Sequence, residues 1–225
     1  MRKLEFQTGE YYHIYNRGVD KRDIFIDKWD YIRFLQSMRE FNQAEPVGSL
    51  YVQQELKRKE KLKNKAPGTF KRLPEPKRKL LVNVICYSLL SNHFHFMLKQ
   101  VTDKGISKFM HKVSMGYTNY FNFKNNRSGY LFQGRYRAIH IKSDGHLFQL
   151  SGYINGNAEI HRITKAENWP WSSYLDYIGL RQGNISKKEE ILNEFKNINE
   201  YKELVKIIIK ESRQGKEEMK KYLLE

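Results

Sequence analysis

The stretch Leu89-Leu90-Ser91-Asn92-His93-Phe94-His95-Phe96-Met97-Leu98 decides how the rest of the chain is read. As a β-strand it sends successive side chains to opposite faces. His93 and His95 then share one face, while Phe94, Phe96 and Leu98 point into a core. Two imidazoles side by side on a rigid strand are half of a metal site. Alone, such a pair is more often surface or hydrogen-bonded histidines than metal ligands.

Working outward, Leu80–Lys99 reads as one long strand or two with a break near Ser91. Tyr11–Asn16 is aromatic and β-prone, and Arg17-Gly18 punctuates it as a turn. Lys28–Phe41 carries Ile32, Leu35, Met38 and Phe41 close to helical spacing. Ile106–Phe123 places Ile106, Phe109, Met110, Val113, Tyr117 and Tyr120 on one helical stripe, which reads as core. Asn125–Gly129 is a loop, and Tyr130–Ile141 reads as a strand. Ser143 or Asp144 can cap a helix running to about His161. Asn155 and Gly156 are poor helix formers in its middle, the glycine costing up to about 1 kcal/mol. Keeping them points to a close approach by another element, or to tolerated weakness. The order β, α, β, α, β, α predicts an α+β fold with helices on an antiparallel sheet.

Composition narrows the partners. The chain has 225 residues with 41 Lys+Arg against 25 Asp+Glu, a formal net charge of +16. That excess favours polyanions, nucleic acid first. Fifteen Tyr and 13 Phe, interleaved with cations, suit stacking on unpaired bases, though most serve a core. A single cysteine, Cys86, forbids an internal disulfide, and a reducing cytoplasm is the expected location. Met1–Phe6 lacks the apolar segment of a secretory signal, and no apolar run approaches the ~20 residues that span a bilayer. Residues 43–79 hold Lys57-Arg58-Lys59-Glu60-Lys61-Leu62-Lys63 and four prolines, which reads as a basic surface insertion. Residues 181–225 are Lys/Glu-rich with helical periodicity, a C-terminal helical appendage to a main domain over 1–180.

The histidines need partners. Tyr153 and Asn157 lie four apart on the expected helix, so both can face the histidine strand. Asn157 would offer a carbonyl oxygen as third ligand, and Tyr153 a phenol beside it. Two imidazoles and an amide leave positions for phosphate oxygens and water on Mg²⁺ or Mn²⁺, whereas zinc prefers more nitrogen or sulfur. A phosphodiester held there becomes more electrophilic, and a phenol can attack it to form a phosphotyrosine ester. Tyr117 and Tyr120 are rival nucleophiles, but four residues after them come Phe121 and Lys124, which are not ligands. Arg17, Lys99, Arg127, Arg135 and Arg137 are candidate phosphate contacts, and Gln133 a candidate base contact. Each also reads as an ordinary surface or sheet residue. Trp169, Trp171 and Tyr174 read as packing.

Five blocks together carry a resemblance: Tyr12-His13-Ile14-Tyr15-Asn16-Arg17-Gly18, Ser91-Asn92-His93-Phe94-His95, Gly129–Arg137, Tyr153-Ile154-Asn155-Gly156-Asn157 and Trp171-Ser172-Ser173-Tyr174. In this order, over roughly residues 8–178, the chain resembles the single-tyrosine HUH transposases, the REP-associated tyrosine transposases in particular. The resemblance implies a ferredoxin-like α+β domain. It implies a metal-dependent single-stranded DNA endonuclease and strand-transferase, often acting at hairpins, with Mg²⁺ or Mn²⁺. By position, His93, His95 and Asn157 would ligate the metal and Tyr153 would carry a 5′-phosphotyrosine link. Relatives often have Asn-Pro where this chain has Asn157-Ala158. Some build the active site across a homodimer and others act as monomers. The rival readings are a domesticated hairpin-binding protein or repressor of the same fold, an RNA-binding protein, and a replication or mobilisation nickase.

Overall fold

The computed structural model describes residues 4–45 and 79–222, with side chains through 215. The basic insertion expected over 43–79 therefore lies, apart from its ends, outside the described residues. Four strands, β1 (Tyr11–Arg17), β2 (Val82–Leu90), β3 (His93–Gln100) and β4 (Arg137–Ile141), form one antiparallel sheet in the order β2-β3-β1-β4. Helix α1 (Lys28–Glu40) connects β1 to β2, and α2 (Gly105–Lys124) connects β3 to β4. This is the ferredoxin-like arrangement. The break near Ser91 is the β2–β3 turn. Asp27 starts α1 with a capping box, its carboxylate accepting from the Trp29 and Asp30 backbone N–H groups.

Both faces of the sheet are covered. Tyr12, Ile14, Phe94, Phe96 and Leu98 meet Phe34 and Met38 of α1 and Phe109, Val113 and Tyr117 of α2 in a first core. On the opposite face a second core gathers Cys86, Met97 and Ile141 beneath α3 (Asp144–Asn155) and α7 (Ile198–Tyr222). Leu147, Leu150 and Ile154 come from α3, and Tyr201, Val205 and Ile209 from α7. The residues after 180 thus contribute buried apolar surface to the body of the fold. Cys86 is free and fully buried. Among the described residues, no helix is long and apolar enough to cross a membrane.

Two local expectations change. The strand expected over Tyr130–Ile141 is confined to Arg137–Ile141. Upstream, Gly134 takes φ 65, a left-handed conformation that breaks a strand, and only Phe132 bridges back, to Gly18. The helix expected from residue 144 to about His161 is interrupted at Gly156, followed by one short turn, α4 (Asn157–Ile160). The close approach anticipated for Asn155 and Gly156 is α7. A methyl group on Gly156 would lie 2.7 Å from Ile209 Cγ1, and Asn155 Nδ2 donates to the Tyr201 hydroxyl at 2.7 Å. Ser173, in the turn before α5 (Tyr174–Tyr177), donates to Asn155 Oδ1 at 2.7 Å. Trp171 stacks on Tyr31, and Trp169 donates its indole N–H to Leu89 O, so both tryptophans pack against the domain.

Helix α6 (Glu189–Leu192) is tied to the sheet through Glu190. Its carboxylate accepts from Tyr11 Oη at 2.5 Å, Lys99 Nζ at 2.9 Å and Asn83 Nδ2 at 2.9 Å. Burial alone would raise the Glu190 pKa, but these three donors outweigh it and hold the carboxyl below its ordinary value. A depressed folded-state pKa adds stability that is present above the unfolded value and fades as pH falls through the folded one. Glu190→Ala leaves three donors without their acceptor and should cost about 2 kcal/mol at neutral pH by urea denaturation. The gap between variant and wild type should shrink as pH drops below about 4.5; a gap that stays constant with pH would refute the charged anchor.

Candidate active site

The register of β1 against β3 sets the site. Arg17 pairs with His93, Tyr15 with His95 and His13 with Met97. Alternation puts Tyr11, His13, Tyr15 and Arg17 on the same face as His93 and His95, opposite the phenylalanine core. The two imidazole rings stand 5.2 Å apart, edge to face. As expected from the spacing, His93 and His95 share a face.

Each ring has a defined neighbour at Nδ1. Asn92 Nδ2 donates to Lys21 O at 3.2 Å, which turns its Oδ1 toward His93 Nδ1, 2.6 Å away. An amide oxygen only accepts, so His93 carries a proton on Nδ1. His95 Nδ1 shares a 2.9 Å hydrogen bond with His13 Nε2. Burial lowers the His13 pKa to about 4, aided by His146, so this ring is neutral at pH 7. Sequence reasoning assigns no role to His13, to Asn92 or to His161, whose ring lies 5.2 Å from that of His93. Alternation along β1 was a usable signal for His13, but the β1–β3 register that puts it beside His95 is not written in either strand alone.

Helix α3 crosses this face and brings Tyr153 to the histidines of its own chain. The Tyr153 ring meets His95 edge to face at 5.8 Å. Burial raises the phenol pKa above 10, the Asn157 amide pulls it down, and Tyr15 adds to the rise. The phenol is therefore protonated at neutral pH, and any attack by it needs a proton acceptor. Across the Gly156 break, Asn157 is fully buried. Its amide is close enough to Tyr153 to favour the phenolate, yet neither Oδ1 nor Nδ2 completes a hydrogen bond among the described residues. A buried amide with both ends unsatisfied is costly and calls for an absent partner such as an ion or water.

The rival tyrosines lie elsewhere. Tyr117 is buried in the first core and donates to Ile24 O, and Tyr120 donates to Asp30 at 3.2 Å. No three His, Cys, Asp or Glu side chains among the described residues converge on one point. The candidate donors are two imidazoles and the Asn157 amide, a set that would suit Mg²⁺ or Mn²⁺ with open positions.

The expected DNA-contacting residues separate into groups. Arg17 Nε donates to Gln133 Oε1, and Gln133 N donates to Arg17 O at 2.8 Å, so these two form a unit beside His93. Arg135 and Arg137 are exposed, and Arg137 pairs with Tyr15 on the imidazole face. Lys99 lies six residues along β3 from His93, roughly 20 Å away, and its ammonium is held by Glu190 over the Tyr11 ring. Arg127 braces its own loop, donating to Asn122 Oδ1 at 2.9 Å and Tyr130 O at 3.3 Å. The structure thus clusters Arg17, Gln133 and Arg137 near the histidines and leaves Lys99 and Arg127 outside that group.

The orphaned amide gives a direct check. Replacing Asn157 by leucine, similar in volume, should leave the metal-free protein as stable or up to about 2 kcal/mol more stable, because an unsatisfied polar group is removed. The same variant should lose the rise in melting temperature that Mn²⁺ gives the wild type. A strongly destabilised variant that still responds to Mn²⁺ would show that Asn157 is structural only.

Comparison with known proteins agrees with the resemblance read from the sequence. The family model for IS200-like transposases matches residues 56–157, a stretch that holds His93, His95, Tyr153 and Asn157. No curated protein matches the chain. Among solved structures, the chain is similar to a REP-associated tyrosine transposase bound to a REP hairpin, with a TM-score of 0.53 and 13% identity. That similarity covers 83% of this chain and 89% of the other, and it is a likeness of fold.

Proposed function

We propose that this chain is a single-strand DNA endonuclease and strand-transferase that cuts and rejoins DNA through Tyr153, at sites carrying hairpins. The observation that carries the reading is the Tyr153 phenol set against His95 of the same chain, four residues from a buried amide that lacks hydrogen-bond partners among the described residues. Two cations support it, Arg17 and Arg137 on the imidazole face, with Gln133 bonded to Arg17, as candidate contacts to phosphate and base, while Arg135 is exposed on the α2 side. The IS200-like family match over the segment bearing these residues adds to it. Lys99 and Arg127 are weaker candidates, being engaged in the fold.

In this mechanism His93, His95 and Asn157 would hold Mg²⁺ or Mn²⁺. The bound ion would neutralise charge on the scissile phosphate and fix its orientation. Arg17, at the end of β1, would grip a neighbouring phosphate. Tyr153 Oη forms a bond to phosphorus as the bond to the 3′-oxygen breaks. The phenol proton passes to a base, the 3′-oxygen gains a proton, and the 5′ end stays on the protein as a phosphotyrosine ester. A DNA 3′-hydroxyl later reverses the exchange. One phosphodiester replaces another, so no nucleotide cofactor is needed. Phenol and imidazoles come from one chain, so a homodimer is not required to bring them together.

Labelled single-stranded oligonucleotides from a randomised hairpin-bearing pool, incubated with Mn²⁺ and resolved on a denaturing gel, test the proposal. Wild type should yield a covalent adduct. Tyr153→Phe should abolish it while binding persists, and a double alanine variant at 93 and 95 should abolish metal-dependent nicking. Hairpin binding with no adduct from the wild type would favour the repressor reading, and an adduct that survives in Tyr153→Phe would remove Tyr153 as nucleophile.

A further inference from the structure

The bond between His13 and His95 has a consequence for the metal site proposed above, on which this inference rests. Both rings are at most 9% exposed, so water does not readily stand in for either partner. When both imidazoles are neutral, the shared proton has two placements. His95 Nδ1–H can donate to His13 Nε2, which leaves the lone pair of His95 on Nε2. Alternatively His13 Nε2–H donates to His95 Nδ1, and the proton of His95 then sits on Nε2, where it blocks ligation.

We propose that His13 is a positioning residue: it accepts from His95 Nδ1 and thereby holds His95 in the tautomer whose Nε2 is open to a divalent cation. Asn92 does the same for His93 with an amide oxygen, so the two imidazoles reach one tautomer by different devices. The Asn92 amide is itself fixed by Lys21 O, and the His13 ring packs against those of Tyr15 and His95, at 4.9 and 5.1 Å. Both histidines would then carry the lone pair on Nε2, the state a metal ligand needs, before any ion binds, which is how ligand preorganisation raises affinity.

The test reads the tautomer and the metal separately from DNA cleavage. Long-range ¹H–¹⁵N spectra of metal-free wild type should place the proton of His95, like that of His93, on Nδ1. A proton on Nε2 of His95 overturns the proposal, and this readout needs no variant. Mn²⁺ affinity, from the electron paramagnetic resonance of free Mn²⁺, should fall about 10- to 100-fold in His13→Phe, which keeps the ring but not the acceptor. His13→Gln, whose side chain reaches the same point with an acceptor, should recover most of it. Mn²⁺ that binds wild type and His13→Phe alike overturns the His13 assignment alone. Mn²⁺ that fails to bind wild type overturns the metal-site reading together with it.

Discussion

The pairing of β1 with β3 is the constraint on which the rest of the molecule depends. It sets Tyr15 opposite His95 and Arg17 opposite His93, and alternation then gives one face of phenylalanine and leucine and one face of histidine and tyrosine. A slip of one residue would send His13 and Arg17 into the first core and bring Ile14 and Asn16 to the imidazole face. The apolar set Tyr12, Ile14, Phe94, Phe96 and Leu98 forbids that slip, because every member is buried against α1 and α2. The energy that folds the domain is thus the same energy that aligns the imidazoles.

The second half of the site depends on how α3 is held. Its inner surface meets Met97 and Ile141 of the sheet, and its outer surface meets α7, where a methyl group on Gly152 or Gly156 would lie 2.4 Å from Ile208 Cδ1 or 2.7 Å from Ile209 Cγ1. Asn155 completes the clamp through Tyr201 and Ser173. Tyr153 and Asn157 flank these contacts, so the C-terminal helix fixes the height at which the phenol meets His95. Just beyond the break at Gly156, Asn157 is buried with its amide unsatisfied among the described residues. Buried polar groups of that kind recur where a protein has given up stability for chemistry.

Much of this was legible in the sequence. Strand alternation alone placed His93 and His95 together, and helical spacing placed Tyr153 with Asn157, because both signals are local. The poor helix formers Asn155 and Gly156 left close approach and tolerated weakness both open, and the contact with α7 decides for the first. What stayed hidden was long-range. The partnership of Lys99 with Glu190 joins residues 91 positions apart, and it turns a candidate phosphate contact into an anchor for α6. The Tyr130–Gly134 segment has the aromatic content of a strand, but its glycine in a left-handed conformation releases it from the sheet. His13 had the right face and no visible partner until the register was known.

A crystal structure of the protein soaked in Mn²⁺, with anomalous scattering used to place the ion, tests the account most directly. The account predicts one strong peak about 2.1 Å from Nε2 of His93, Nε2 of His95 and Oδ1 of Asn157, with the hydroxyl of Tyr153 from the same chain turned toward it. A peak bound elsewhere, or histidine Nε2 atoms that diverge with the phenol sealed in hydrocarbon, would contradict it.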